Sequence, residues 1–127
     1  MDISSIEDVR RLVDAFYGKV RGDGLIGPIF IGAIGDNWPA HLEKMGRFWQ
    51  TVLLEEHTYY GSPFAPHARM PLESRHFDVW LGLWNATVDE LFDGPKAVEA
   101  KWRAEKMAEM FLSKITYYRN NPAKPIL

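Results

Sequence analysis

Cysteine is absent from this sequence of 127 residues, which excludes disulfide bonds, thiolate metal sites, cysteine nucleophiles and cofactors attached through thioether bonds. No apolar run approaches the roughly 18 residues of a membrane span, and the chain does not open with a basic segment followed by an apolar one. Glycine-rich phosphate loops, a Gly-x-Ser-x-Gly elbow and a His-Glu-x-x-His metal motif are also missing. With a net charge of -2 and a pI of about 6.1, the chain has no basic excess for nucleic acid. We therefore expect a soluble cytoplasmic protein that binds neither membranes nor nucleic acids.

The apolar residues that are present recur at helical spacing in four long segments, without strand-like alternation or repeats. The first segment begins at Ser4 or Ser5 and ends near Gly22 to Gly24, the second runs from Asp36 or Asn37 to Glu56, the third from Glu73 or Ser74 to Gly94, and the fourth from Pro95 to Asn121. Residues 25–30 are predicted to form a compact apolar turn, residues 57–72 an irregular segment, and residues 120–127 a loosely ordered tail. The pattern predicts a single all-α domain over residues 1–127.

His67 is the most informative residue of the irregular segment. Ser62 or Pro63 is predicted to start a short helix of about two turns, and Pro71 to end it. An imidazole held there among apolar neighbours is typical of a fixed axial metal ligand, although a partly buried histidine in a proline-rich loop is the ordinary alternative. The other histidines never pair with it or with one another at three- or four-residue spacing, so a site built from several histidines is not indicated.

Four ring side chains are predicted on the inner faces of the helices or of the turn before the second helix. Tyr17, His41 and Trp80 each carry a polar group on an apolar stripe, and Phe30 is predicted to pack nearby. Each of these four residues could instead be an ordinary core or capping residue. Lys44, close to His41 on the same helix, could likewise be an ordinary solvated charge. Together with His67, the polar rings of Tyr17, His41 and Trp80 indicate one shared pocket with a single polar ligand, since such a ligand would satisfy several of these groups at once.

Five segments of the chain resemble, in order over about residues 6–118, those of the truncated haemoglobins of the third group. They are Phe16 to Arg21, Leu25 to Phe30, Trp38 to Trp49, Pro66-His67 and Phe77 to Leu81. The Gly-Gly pairs that mark the other two groups are absent, which favours the third. This resemblance implies a two-over-two helical sandwich, the truncated globin fold, around haem b.

The resemblance also implies roles for individual residues. His67 matches the proximal iron ligand, and the matches around the haem are Tyr17, Phe30, His41, Met45 and Trp80. Phe48 is predicted as a further haem contact, and we expect Lys44 and Arg69 to reach the propionates because of their length and charge. The expected catalytic residues are Tyr17, Trp80 and His41, the last acting as a gate between solvent and pocket.

The function implied is binding of dioxygen, nitric oxide or a similar diatomic ligand at a His-ligated iron. Two hydrogen-bond donors on the ligand side would slow oxygen release, so we expect oxygen-dependent redox chemistry, such as nitric oxide detoxification, rather than oxygen transport. Such chemistry needs a reductase partner, which the sequence does not identify, and a monomer is expected. The alternatives are a peroxidase-like haem protein, a haem-free all-helical interaction module and a helical binder of another flat ligand.

Overall fold

The computed structural model describes residues 1–126, and this part of the chain forms five α-helices, one 3-10 turn and no strand. The helices are α1 (Ile6–Gly22), α2 (Gly27–Ile34), α3 (Trp38–Leu54), α4 (Ser74–Leu91) and α5 (Pro95–Asn120). The 3-10 turn, Ala65–His67, lies in the long connection between α3 and α4. The predicted all-α class is confirmed. None of the helices in residues 1–126 is both long enough and apolar enough to span a bilayer.

Local sequence signals fix where most helices begin. The Ser5 hydroxyl accepts a hydrogen bond from the Asp8 backbone N–H at 3.3 Å, which caps α1. At α5 the cap comes from a distant part of the chain. The Asp2 carboxylate accepts the backbone N–H groups of Lys96 and Ala97, each at 2.9 Å, so the N-terminal segment is fastened to the start of α5.

Helix α1 lies at the centre of the fold, where it packs against α2, α3 and α4, while α5 packs against α4. Trp84 of α4 is fully buried and stacks on Trp49 of α3 with ring centroids 4.4 Å apart. The Phe16 ring of α1 meets the Trp84 ring edge to face at 5.1 Å. This aromatic cluster joins three helices and forms one wall of the core.

Two segments differ from the expectation. Residues 27–34 form a helix rather than a compact turn, because Pro28 presets the first turn and no later residue interrupts it. A Cβ atom on Gly27 would lie 2.9 Å from the Val20 carbonyl oxygen, so glycine lets α2 start directly against the end of α1.

Around His67 only one 3-10 turn forms instead of the two helical turns that were predicted. The His67 N–H donates to the Phe64 carbonyl at 2.8 Å, and Pro71 stops the turn from continuing.

The chain after α5 is described as far as Ile126. The Lys124 carbonyl oxygen accepts a hydrogen bond from the Arg69 guanidinium at 3.1 Å, and the Lys124 N–H donates to the Asn121 carbonyl at 3.1 Å. The described part of the tail that was predicted to be loosely ordered, residues 120–126, therefore contacts the connection that carries His67. The last residue of that tail lies outside the described residues.

Candidate functional site

A cleft of about 270 Å³ is lined by side chains from all five helices and from the connection between α3 and α4. Its walls are mostly apolar and include Ile29, Phe30, Phe48, Leu72, Phe77, Met107 and Phe111. A small set of polar side chains also reaches it, namely Tyr17, His41, Lys44, Tyr59, Ser62, His67, His76 and Trp80. Apolar walls with few polar groups are typical of a site for a large, mostly apolar ligand.

His67 lines this cleft and has one ring nitrogen engaged in a hydrogen bond. Its Nδ1 lies 2.8 Å from the Pro63 carbonyl oxygen, and because a carbonyl only accepts, Nδ1 carries the proton. Burial lowers the pKa of His67, with the bond to Pro63 acting in the opposite direction, so the ring is neutral near pH 7. Its Nε2 therefore keeps a lone pair. A neutral imidazole whose other nitrogen donates to a backbone carbonyl is the usual arrangement of a metal-ligating histidine.

Tyr17 and His41 form a second polar group in the cleft. Their ring centroids are 5.0 Å apart, and the rings are nearly perpendicular. Tyr17 is only 7% exposed, and burial raises the pKa of its hydroxyl well above the ordinary value, so the hydroxyl remains a donor. The His41 Nε2 is buried and has no hydrogen-bond partner within residues 1–126. Burial, and to a smaller extent the charge of Lys44, lower the pKa of His41 and favour a neutral ring.

Trp80 and Trp84 lie parallel on α4 with centroids 6.4 Å apart, but their indole N–H groups differ. The Trp84 N–H donates to the Ala100 carbonyl at 3.1 Å and is structural. The Trp80 side chain lines the cleft, and its N–H donates to no group in the described part of the chain. Trp80 therefore has a donor to offer to a ligand.

The residues present fit a haem. His67 offers one imidazole nitrogen as an axial ligand, and the buried, unpaired His41 Nε2 is suited to a polar ligand inside an otherwise apolar cleft. Within residues 1–126 no group of three or more His, Asp or Glu side chains is placed to hold a bare metal ion. A metal carried by a prosthetic group needs only a single protein ligand.

The structure brings eight of the nine predicted site residues to the cleft: Tyr17, Phe30, His41, Lys44, Met45, Phe48, His67 and Trp80. Arg69 is the exception. Its guanidinium donates to the Lys124 carbonyl and lies 5.8 Å from the Tyr118 ring centroid, and it does not line the cleft. Arg69 lies two residues beyond the end of the 3-10 turn, and there its guanidinium is held by the chain that follows α5 instead of by the cleft.

His76 also lines the cleft, although the sequence pattern did not predict it as a site residue. This residue is buried and lines the cleft, and its Nδ1 accepts the Glu73 backbone N–H at 2.9 Å. Glu73 and His76 thus form a capping box at the start of α4, with histidine in the position usually taken by Glu or Gln. The three-residue spacing is visible in the sequence, but the direction of the ring toward the cleft is not.

A scan against protein-family models finds no match for this chain. In a search of curated proteins, it is 33% identical over 116 residues to the Group 3 truncated hemoglobin ctb of Campylobacter jejuni, covering 88% of this chain and 91% of that protein. The crystal structure of a group III truncated hemoglobin from Campylobacter jejuni superposes with a TM-score of 0.82 at 31% identity, over 91% of this chain and 95% of the other. Because identity and coverage are high in sequence and the fold agrees, this chain belongs to the group III truncated haemoglobins.

Proposed function

We propose that this chain holds haem b through the Nε2 of His67 and binds dioxygen and other diatomic ligands beside Tyr17, His41 and Trp80. The observation that carries the proposal is the fixed neutral tautomer of His67, whose Nδ1–H donates to the Pro63 carbonyl. When bound, haem supplies an iron centre that takes a diatomic ligand and exchanges one electron. The apolar walls of the cleft exclude water from that ligand.

Two donors support retention of the ligand rather than delivery. The Tyr17 hydroxyl and the Trp80 indole N–H both lie in the cleft wall without a protein acceptor in residues 1–126. Each donor in a largely dry pocket contributes about 1–3 kcal/mol toward an electron-rich ligand, so two donors slow its release by about a hundredfold or more. Slow release is unsuited to oxygen transport and suited to chemistry on the retained ligand.

The redox chemistry we propose is conversion of nitric oxide to nitrate. One nitric oxide, one dioxygen and one electron give one nitrate ion, and a reductase supplies the electron. In this reaction Tyr17 and Trp80 hold dioxygen in place while nitric oxide enters the cleft. His41 serves as the gate, because its ring contacts the rings of Tyr17 and Trp38 at centroid distances of 5.0 and 6.0 Å, and its Nε2 lacks a partner in residues 1–126.

A peroxidase-like activity is the second candidate, and it is favoured by His41 alone. A neutral imidazole with a free nitrogen in the cleft is able to accept the proton of a hydroperoxide. One hydrogen peroxide, two protons and two electrons from an organic reductant then give two water molecules. Steady-state assays with nitric oxide and with peroxide, each on the wild type and on His41→Leu, separate the two activities. A peroxidase role requires the His41 change to abolish peroxide turnover.

The decisive experiment for the site is the absorption spectrum of the purified protein reconstituted with haemin. We expect a strong Soret band that is lost in His67→Gly and restored by added imidazole, which replaces the missing ligand. His57→Gly is the matched control, because His57 is exposed and lies outside the cleft. A protein that remains colourless with haemin, or a His67→Gly variant with an unchanged spectrum, refutes the proposal and favours a haem-free interaction module.

Location and assembly belong to the same proposal. We place the protein in the cytoplasm, where a reductase has access to it, and we expect a monomer. Cell fractionation and light scattering of the purified protein test these two statements. A stable dimer in solution would contradict the second.

A further inference from the structure

His76 is a buried histidine at the start of α4 whose place in the cleft has no assigned purpose. It is 7% exposed, and it lines the cleft together with Phe77 and His67. Helix capping by itself does not need an imidazole here, since Glu or Gln serves at this position in an ordinary capping box. The presence of an imidazole ring at this capping position therefore indicates that His76 has a second role besides capping α4.

The hydrogen bond at Nδ1 fixes what His76 offers to the cleft. Because Nδ1 accepts the Glu73 backbone N–H at 2.9 Å, the proton of the neutral ring resides on Nε2. Within residues 1–126 the Nε2–H has no acceptor. His67 has the opposite tautomer, with its proton on Nδ1. One histidine thus presents a lone pair to the cleft, and the other presents a donor.

The other basic groups near this end of the cleft are engaged elsewhere. Arg69 donates to the Lys124 carbonyl at 3.1 Å, and Arg119 donates to the Leu72 carbonyl at 2.8 Å. Neither lines the cleft, whereas His76 and Lys44 do. On α4, Trp80 is already assigned to the diatomic ligand, and His76 is the buried donor that remains for an anionic group.

We propose that the Nε2–H of His76 donates a hydrogen bond to a carboxylate of the porphyrin, which makes His76 a binding residue for the prosthetic group. This inference rests on the proposed function, because it needs haem in the cleft. Iron protoporphyrin carries two carboxylate side chains on one edge, and a bond to an ionised acceptor is stronger than one between neutral groups. His76 takes the place that the sequence suggested for Arg69.

Two substitutions separate this donor from helix capping. In His76→Asn the amide oxygen occupies nearly the position of Nδ1 and keeps the cap, but nothing reaches as far as Nε2. In His76→Gln the amide nitrogen occupies nearly the position of Nε2 and keeps the donor, while the cap is altered. His57→Asn is the surface control, since that side chain is exposed and outside the cleft.

The measurement is the rate of haem loss from each ferric protein to an excess of an apoglobin acceptor, followed by absorbance. We expect His76→Asn to lose haem about tenfold to a hundredfold faster than the wild type, and His76→Gln and His57→Asn to stay near the wild-type rate. The same experiment with haem dimethyl ester, which lacks carboxylates, removes the difference between His76→Asn and the wild type.

Equal haem loss from His76→Asn and the wild type overturns the inference, as does a difference that persists with the ester. Both outcomes leave the proposed function intact, because the protein is then still coloured; failure of the proposed function shows instead as no Soret band in the wild type. If His76→Asn does not fold, the inference is tested on the wild type by NMR. The quantity measured is the solvent exchange rate of the His76 Nε2–H proton in the diamagnetic carbon monoxide complex. A slowly exchanging signal with haem that exchanges rapidly with the ester supports the inference, and identical signals refute it.

Discussion

Replacement of Tyr17 by phenylalanine tests the ligand-binding side of the cleft most directly. The Tyr17 ring is held by the Phe30, Trp38 and His41 rings at centroid distances of 5.9, 6.0 and 5.0 Å. The hydroxyl has no hydrogen bond within residues 1–126, so its removal leaves no protein group unpaired. We therefore expect Tyr17→Phe to change the free energy of unfolding by less than about 1 kcal/mol.

The expected effect on ligand release follows from the burial of the hydroxyl. Burial raises the pKa of Tyr17 well above its ordinary value, so the group is a protonated donor at any working pH. A hydrogen bond to a partly charged ligand is worth about 1.5–3 kcal/mol, and about 1.4 kcal/mol corresponds to a factor of ten. Loss of this bond should thus accelerate oxygen dissociation by about tenfold to a hundredfold.

Stopped-flow replacement of dioxygen by carbon monoxide, followed in the Soret region, measures this rate. Tyr60→Phe removes the same atom from a tyrosine that is 76% exposed and outside the cleft, so its dissociation rate should match that of the wild type. A Tyr17→Phe rate within about twofold of the wild type would mean that the hydroxyl contributes little to holding the ligand. In that case slow release, and with it the preference for redox chemistry over transport, loses its main support.

Two further predictions concern the fold. Partial burial opposes ionisation of Asp2, but hydrogen bonds from the N–H groups of Lys96, Ile3 and Ala97 outweigh it and hold the pKa of Asp2 below its ordinary value. Asp2→Asn should cost about 1 kcal/mol at pH 7, because the amide keeps only one of the two acceptor oxygens. This difference should be fully present above the unfolded-state pKa of about 4 and should disappear as the pH falls through the lower folded-state pKa. Urea unfolding of both proteins across pH measures it, and a difference that stays constant down to about pH 2 would contradict it. Gly27→Ala should lower the free energy of unfolding by about 1–3 kcal/mol, because the new methyl group would lie 2.9 Å from the Val20 carbonyl oxygen. Thermal unfolding measures this change. Gly32→Ala is the control, because a Cβ atom at Gly32 meets nothing within 4 Å. A Gly27→Ala protein as stable as that control would show that α2 shifts freely.

The helices could be predicted from the sequence because their signals are local. A serine before α1, a proline at the start of α5 and apolar spacing over several turns each act within a few residues. The same information predicted the all-α class, and the ordered segments that resemble truncated haemoglobins predicted the family, which the sequence relative and the structural neighbour confirm. The short α2 was missed, since eight residues rich in glycine and isoleucine carry little periodicity.

The sequence predicted the site residues on long helices better than those in or beside the irregular connection. Residues on long helices, such as Tyr17, His41 and Trp80, reach the cleft as expected, because helical periodicity fixes the face on which a side chain lies. Arg69 and His76 depended on the course of an irregular connection and on the orientation of a helix start, for which charge and length are poor guides. The structure places Arg69 outside the cleft and His76 within its lining.

The four long helices, the family and the choice of His67 as the candidate ligand could be predicted from the amino-acid sequence, because each depends on local spacing or on an ordered set of motifs. The tertiary structure was needed to establish that Nδ1 of His67 carries the proton, that the His41 Nε2 is buried without a partner among residues 1–126, and that His76 lines the cleft while Arg69 does not. These features depend on atoms brought together from distant parts of the chain. Hydrogen-bond geometry and burial at such contacts set tautomer and direction, and no local pattern encodes them.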